Sequence, residues 1–310
     1  MTKQDVLESI ALKKRFCKDY NIQMSVYDNP YFYSRLLVMD RVFDCVQKFE
    51  LFCSELGQFG SEQEYFEEYN RVKEAMISAI RENKDYVEFN HSRIPKKISD
   101  VTKRNLYVET NNNCTFISID MKQANFSALK YYSEDIFCGC KTWESFVKRF
   151  TNIKHIAASK YIRQVVLGAL NPSRQIQYET YIMSILCDHI ESECNYDDWE
   201  PYSLAQDEII IKVNNNVPGL VDLIREIVST CDYDIGSLVR VEYFALQKVS
   251  DYGWIKKDLE TGKISFKCFD SDIIVQIIKY FFMLPIKEDD LVFYHNGRLA
   301  KFLKEVENPW

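Results

Sequence analysis

The sequence predicts an α+β fold: a helical N-terminal region, a small antiparallel sheet and a short helical stretch between its strands. Three observations carry this. Over residues 31–56 the apolar positions Leu36, Leu37, Met39, Val42, Phe43, Val46, Phe49, Leu51 and Phe52 recur close to the helical repeat. The run Thr115-Phe-Ile-Ser-Ile-Asp120 is rich in β-formers. Ile209, Ile211 and Val213 alternate with a period of two, as on a half-buried strand.

Each element can be justified in order. Residues 61–81 form a second amphipathic helix, whose acidic start (Glu62, Glu64) complements a helix N-terminus. Residues 91–104 carry Arg93, Lys96, Lys97, Lys103 and Arg104 around Pro95, the densest basic segment of the chain. Such a segment is either a solvated connector or a phosphate-contacting strip. Helices are expected at 123–132, 143–151, 156–170 and 175–192, with Asn171-Pro172 breaking the pattern. Residues 204–213 read as two short strands with a tight turn at Gln206-Asp207. An amphipathic helix at 220–230 follows. Strands at 239–249 and 263–268 are expected to form a hairpin through Glu260-Thr-Gly262, and a buried helix at 272–284 leads into a mixed tail.

Bulk properties narrow the function classes. With 46% hydrophobic and 27% charged residues, the chain of 310 can build a real core. Tyr and Phe number 20 each, whereas Gly (9) and Pro (7) are scarce, which favours packed elements over long loops. The opening segment lacks an apolar signal region, and the apolar stretch 273–286 is interrupted by Gln276 and Lys279. A soluble, cytoplasmic chain with no membrane contact is expected. The ten cysteines are scattered, so buried, reduced thiols are expected. Neither Cys138/Cys140 nor Cys187/His189/Cys194 makes a four-ligand zinc set with usual spacing. The net charge of −7 does not advertise nucleic acid, although a local basic stripe would serve.

Two acidic residues stand at the rim of apolar strands. Asp120 ends Phe116-Ile-Ser-Ile, and Asp207 lies between Leu204-Ala205 and the Ile209 run. A carboxylate held there needs compensation, and a divalent cation is one source. Two such carboxylates brought together would bind a pair of Mg²⁺ ions, the arrangement phosphoryl transfer uses. Taken singly, each Asp also suits a cap, Asp120 as the N-cap of the helix that follows. Positions 159, 163, 167 and 171 are four apart and share one helix face. A forked donor there, Arg163, matches triphosphate oxygens, with Lys160 and Lys154 nearby.

The run Asp120-Met-Lys-Gln-Ala-Asn-Phe-Ser-Ala-Leu-Lys-Tyr-Tyr-Ser-Glu-Asp135 resembles motif A of the family A DNA polymerases and the single-subunit, phage-type RNA polymerases. Gln206-Asp207-Glu208 with its apolar continuation is similar to motif C, usually His-Asp-Glu. Residues 159–171 are similar to the motif B fingers helix, with Ser159, Arg163, Leu167 and Asn171 in register and Gly168 at a common glycine. The resemblance covers roughly residues 93–213. It departs from the family at Ser159 (usually Arg), Asn171-Pro172 (usually Tyr-Gly), Asn125 (a sugar-gating Glu in the DNA polymerases) and Gln206 (usually His). Asp120 and Asp207 are separated by 87 positions, far fewer than in the full-length family.

What the resemblance implies is a polymerase-type palm with shortened helical fingers. Residues 1–90 would be a helical region serving as a reduced thumb, with no exonuclease domain before the palm. Residues 91–135 would be the basic connector and motif A, 136–200 the reduced fingers, 201–235 the motif C hairpin and its helix, and 236–310 an α/β extension. It implies a template-directed nucleotidyltransferase, more a DNA than an RNA polymerase, with nucleic acid template and primer and nucleoside triphosphates as partners. Asp120 and Asp207 would hold two Mg²⁺ (or Mn²⁺) ions, with Glu208 supporting them. Arg163, Lys160, Asn125, Gln123, Leu167 and Asn171 would contact the nucleotide. Gln175, Gln177, Gln206, Arg93, Lys96, Lys97, Lys103 and Arg104 would contact nucleic acid. The competing readings are a phage-type or primase-like RNA-synthesising enzyme, a polymerase-derived binding protein without catalysis, and an unrelated α+β protein.

Overall fold

The structure, a computed structural model, describes residues 1–95, 101–193, 199–213, 219–231, 234–251 and 253–302. Lys96 and Lys97 of the basic segment, and Cys194, lie outside the described residues. The chain begins with six helices, α1 (Lys3–Glu8), α2 (Ile10–Asp19), α3 (Tyr31–Phe43), α4 (Cys45–Leu56), α5 (Glu62–Arg81) and α6 (Lys84–His91). Strand β1 (Thr115–Met121) follows, then α7 (Ala124–Tyr132), α8 (Trp143–Val147), α9 (Lys154–Ala158), α10 (Lys160–Gly168) and α11 (Pro172–Glu193). The hairpin of β2 (Trp199–Leu204) and β3 (Glu208–Val213) precedes α12 (Leu220–Thr230) and α13 (Ile235–Leu238). Strands β4 (Val239–Lys248), β5 (Trp254–Asp258) and β6 (Ile264–Lys267), helix α14 (Ile274–Phe281), and the pair β7 (Val292–His295) and β8 (Arg298–Lys301) complete the described chain. The mixed α+β class with a small antiparallel sheet is therefore present.

Three local expectations are corrected. The apolar repeat over 31–56 is two helices, because Asp44 adopts a left-handed conformation (φ 48°) and breaks the ladder. The repeat over 156–170 is also two, since Ser159 is extended and its hydroxyl accepts the Ile162 N–H at 3.0 Å, capping α10 from outside. The hairpin at Glu260-Thr-Gly262 joins β5 to β6, not β4 to β6; the short strand β5, with its two lysines, escaped the sequence pattern. The expected break at Asn171-Pro172 is present between α10 and α11, with Pro172 as the first residue of α11. There its missing N–H is one that helices leave unpaired anyway, and the Asn171 side chain accepts from Arg174 N at 3.4 Å.

The chain divides into two compact units at places other than the sequence boundaries. One comprises Met1–Ala75, Val147–Gln164 and the described residues from Phe269 onward; the other comprises Met76–Phe146 and Val165–Cys268. The C-terminal stretch from residue 236 is thus shared between them. In the first unit Phe16, Phe32, Phe49 and Phe52 are fully buried and pack together, with Phe49 edge to face against both Phe16, at a centroid distance of 5.0 Å, and Phe32. Two polar groups are held by several partners each. Glu55 accepts from the backbone N–H groups of Lys154 and His155 and pairs with the His155 ring at 2.8 Å, while the opposite ring nitrogen meets Tyr65 Oη at 3.0 Å. The Arg35 guanidinium, 2% exposed, donates to the carbonyls of Asp289 and Val292.

The second unit is built on a six-stranded antiparallel sheet of order β2-β3-β1-β4-β5-β6. Alternation gives it two distinct faces. Ile117, Ile119, Met121, Ile209, Ile211, Val213 and Val239 point to a helical layer, where they meet Ala128 of α7, Ile182, Met183 and Leu186 of α11, and Ile224 and Val228 of α12. On the opposite face Phe116, Ile210, Phe244, Leu246 and Trp254 form a smaller cluster covered by Leu106, Tyr107, Cys114 and Tyr202. Five of the described cysteines are buried (Cys17, Cys45, Cys53, Cys187, Cys231), and Cys138 and Cys268 are exposed. No described helix is long and apolar enough to cross a membrane.

One packing feature of the helical layer can be tested. A Cβ on Gly236 of α13 would come within 2.1 Å of the Val228 carbonyl oxygen of α12, a backbone atom that cannot swing aside. Gly236→Ala should therefore cost about 1–3 kcal/mol in urea denaturation. Gly168→Ala, with open space around its Cβ, should be neutral or stabilise by about 0.5 kcal/mol.

Candidate functional site

Strand β1 is central, and its last residues define the site. Asp120 is in register with Glu208 on one neighbour and with Arg240 on the other. The turn Ala205–Glu208 is closed by Ala205 N donating to Glu208 O at 2.8 Å, which puts Asp207 at the hairpin tip. Met121 N donates to Asp207 O at 2.8 Å, so the tip is hydrogen-bonded to the end of β1. The two predicted carboxylates, 87 positions apart in sequence, are thus on adjacent strand ends of one sheet.

Around them the face turned away from the helices is ionic. Arg240 donates to Asp120 Oδ2 from Nη2 at 2.8 Å and from Nε at 3.0 Å, and Nε also lies 3.2 Å from Glu242 Oε1. Lys256 Nζ donates to Glu242 Oε2 at 3.0 Å and sits over the Phe244 ring, 4.1 Å from its centroid. Ser118 donates to Glu208 Oε1 at 2.5 Å. Charges therefore run across β3, β1, β4 and β5. Arg240, Glu242 and Lys256 were missed from sequence. Their signal was the charged pair at alternate positions of β4, which reads as an ordinary solvated strand face unless its partner strand is known.

Burial raises the Asp120 carboxyl above its ordinary value, the Arg240 charge pulls it back, and the Asp207 charge pushes it up again; the net direction is upward. Glu208 is raised too, mainly by burial, against the Ser118 hydrogen bond. Like charges held together in this way are what a cation relieves. The Arg240 pair is an exposed one, with the Arg240 side chain 57% accessible, and such pairs contribute about 1 kcal/mol or less. It does not commit Asp120. Among the described residues no group of three or more His, Cys, Asp and Glu is placed to hold a metal ion. A pair of carboxylates is nonetheless a donor set that Mg²⁺ accepts, because that ion keeps waters and takes its remaining ligands from substrate phosphates. By that criterion Asp120 and Asp207 fit the group.

The other predicted residues are distributed as follows. Gln123 starts α7 in a left-handed conformation (φ 51°), with its amide 3.4 Å from Glu144. Asn125 donates to Gln175 Oε1 at 3.3 Å, and Gln175, completely buried, donates to the Leu167 carbonyl at 3.1 Å. Gln175 is thus a brace joining α7, α10 and α11, and Leu167 is 1% exposed. Asn171 caps α11 and donates to Asn90. Gln177, Gln206, Arg93, Lys103 and Arg104 are exposed. Lys160, exposed, and Arg163, half-buried, belong to the first compact unit.

Beside the strand ends lies Glu179 of α11, 3% exposed, with no hydrogen-bond partner for Oε1 among the described residues. Burial, with the Asp207 charge second, pushes its carboxyl up to about 7 from 4.5. Residues 175, 179, 182, 183, 186 and 190 share the buried face of α11, so its place in that apolar stripe was the legible sign. The folded chain holds this proton over a range where the unfolded chain has released it. Its contribution to stability is complete below about pH 4.5 and is lost as pH rises through about 7. Glu179→Gln should therefore be the more stable protein at pH 8, by up to roughly 3 kcal/mol, and the advantage should vanish at pH 4.5; urea denaturation at both values measures it.

Comparison with known proteins returns no match: no family profile, no curated protein and no solved structure is similar to this chain.

Proposed function

We propose that the chain is a template-directed nucleotidyltransferase, a minimal family A-like polymerase that extends a 3′-hydroxyl and is closer to DNA than to RNA synthesis. The observation that carries the proposal is the juxtaposition of Asp120, at the end of β1, with Asp207, at the tip of the β2–β3 hairpin, joined through the Met121–Asp207 backbone bond. Two carboxylates so placed, at adjacent strand ends of one sheet, suit phosphoryl transfer better than capping: Asp207 lies at a hairpin tip with no helix after it, and α7 begins beyond Gln123, whose side chain makes no capping bond.

In this reading Asp120 and Asp207 would hold Mg²⁺, and the bound ions would supply Lewis acidity and neutralise charge at phosphorus. The chain's own groups do the rest. Ser118 fixes the Glu208 carboxyl beside the pair. Arg240 holds Asp120 in position and balances its charge between turnovers. The extended amide ladder on both sides of β1 keeps the strand end rigid. The triphosphate-binding role of Lys160 and Arg163 rests on the motif B resemblance alone.

Asp207→Asn should abolish incorporation of nucleotides on a primed template in Mg²⁺; undiminished synthesis by this variant would overturn the assignment. Offering labelled dNTPs and rNTPs to the unaltered protein decides the sugar, and predominant rNTP incorporation would replace the DNA preference with RNA synthesis.

A second reading, a polymerase-derived binding protein without catalysis, is favoured by the ion pair that already engages Asp120. Arg240→Ala separates the two. In an enzyme the Mg²⁺ dependence of synthesis shifts, whereas a silent binder shows no synthesis before or after the change and keeps its nucleic-acid affinity.

A further inference from the structure

On the sheet face away from the helices, a cleft of about 510 Å³ opens between residues 103–107 and strands β3, β5 and β6. Its volume lies in the range of small-molecule sites and is too small for a duplex. Lys103, Arg104, Lys256 and Lys267 line it, against a single carboxylate, Glu208. The rest of the lining combines the polar Asn105 and Ser203 with an apolar wall of Leu106, Ile210 and Tyr107, whose ring packs beside Trp254. Two of the cations are held in place: Arg104 over the Tyr202 ring and Lys256 between Glu242 and the Phe244 ring. A preformed positive cleft with an apolar wall selects a ligand that carries several negative charges at one end and a flat, weakly polar group at the other.

We propose that this cleft binds a free nucleoside polyphosphate, independently of the Asp120–Asp207 pair. The phosphates meet the four cations, and the base lies against the apolar wall beside Tyr107. Because lysine and arginine supply the charge, occupancy requires no divalent ion. That separates this site from the carboxylate pair, where like-charged groups would repel a triphosphate in the absence of metal.

The test is isothermal titration calorimetry of the full chain in EDTA with ATP, inorganic triphosphate and adenosine as separate probes. ATP should bind, more tightly than either fragment, with an affinity that falls as salt rises. Lys103→Glu/Lys267→Glu should weaken it by about tenfold or more, and the gentler Lys103→Ala/Lys267→Ala should weaken it in the same direction. Melting temperatures of both variants serve as the control for folding. Asp207→Asn should bind ATP in EDTA as the unaltered chain does. Absence of ATP binding in EDTA, or binding unchanged by both double variants, would overturn the site. Equal affinity for inorganic triphosphate and ATP would overturn the nucleotide assignment. None of these outcomes depends on synthesis, so the site and the enzymatic reading stand or fall separately.

Discussion

Strand β1 is hydrogen-bonded along both edges, to β3 on one side and β4 on the other, and the second unit depends on that double pairing. Register follows from it. With Asp120 opposite both Glu208 and Arg240, every second residue of three strands is committed to one face. A slip of one residue would bury Asp120 among Ile182, Met183 and Leu186 and expose Ile117 and Ile119. The fully apolar helix-side face therefore enforces the ionic face, because burying an unpaired carboxylate costs far more than an exposed pair returns.

The ionic face is balanced rather than neutralised outright. Asp120, Glu208 and Glu242 are answered by Arg240, Lys256 and the Ser118 hydroxyl, while Asp207 at the hairpin tip adds a further negative charge. Toward Asp207 the sheet is short of positive charge; toward residues 103–107 it has an excess. One surface thus offers a cation-seeking end and an anion-seeking end, and Glu208 belongs to both.

Much of this was legible in the residues themselves. The β-rich run ending at Asp120, the alternation through Ile209, Ile211 and Val213, and the turn at Gln206-Asp207 place β1, β3 and the hairpin tip because each uses strictly local signals, whereas β2 runs over Trp199–Leu204, ahead of the 204–213 stretch expected to hold both strands. What stayed hidden was non-local. The role of Arg240 needs the β1–β4 register, which joins residues 120 positions apart. The helix breaks at Asp44 and Ser159 were masked by an apolar repeat that continues through them, since neither residue type excludes helix. Gln175 was expected to contact nucleic acid, yet it is buried, and its amide has partners on two other helices. Glu179 is the reverse case: its place in an apolar stripe was visible, but its unpaired oxygen was not.

The sheet's connectivity also constrains how the chain reaches its native state. Strand β1 finds its two neighbours only after about ninety and about one hundred and twenty further residues have been made, so its contacts are of high sequence separation and close slowly. Until β4 is available, the apolar strand β1 has an open edge, the kind of surface on which nascent chains associate. Nor can either compact unit be produced by cutting the chain once, because each is assembled from separated segments. Synthesis of the carboxylate pair and its arginine is thus a late event, and the growing polypeptide carries no complete ionic face until β4 has emerged.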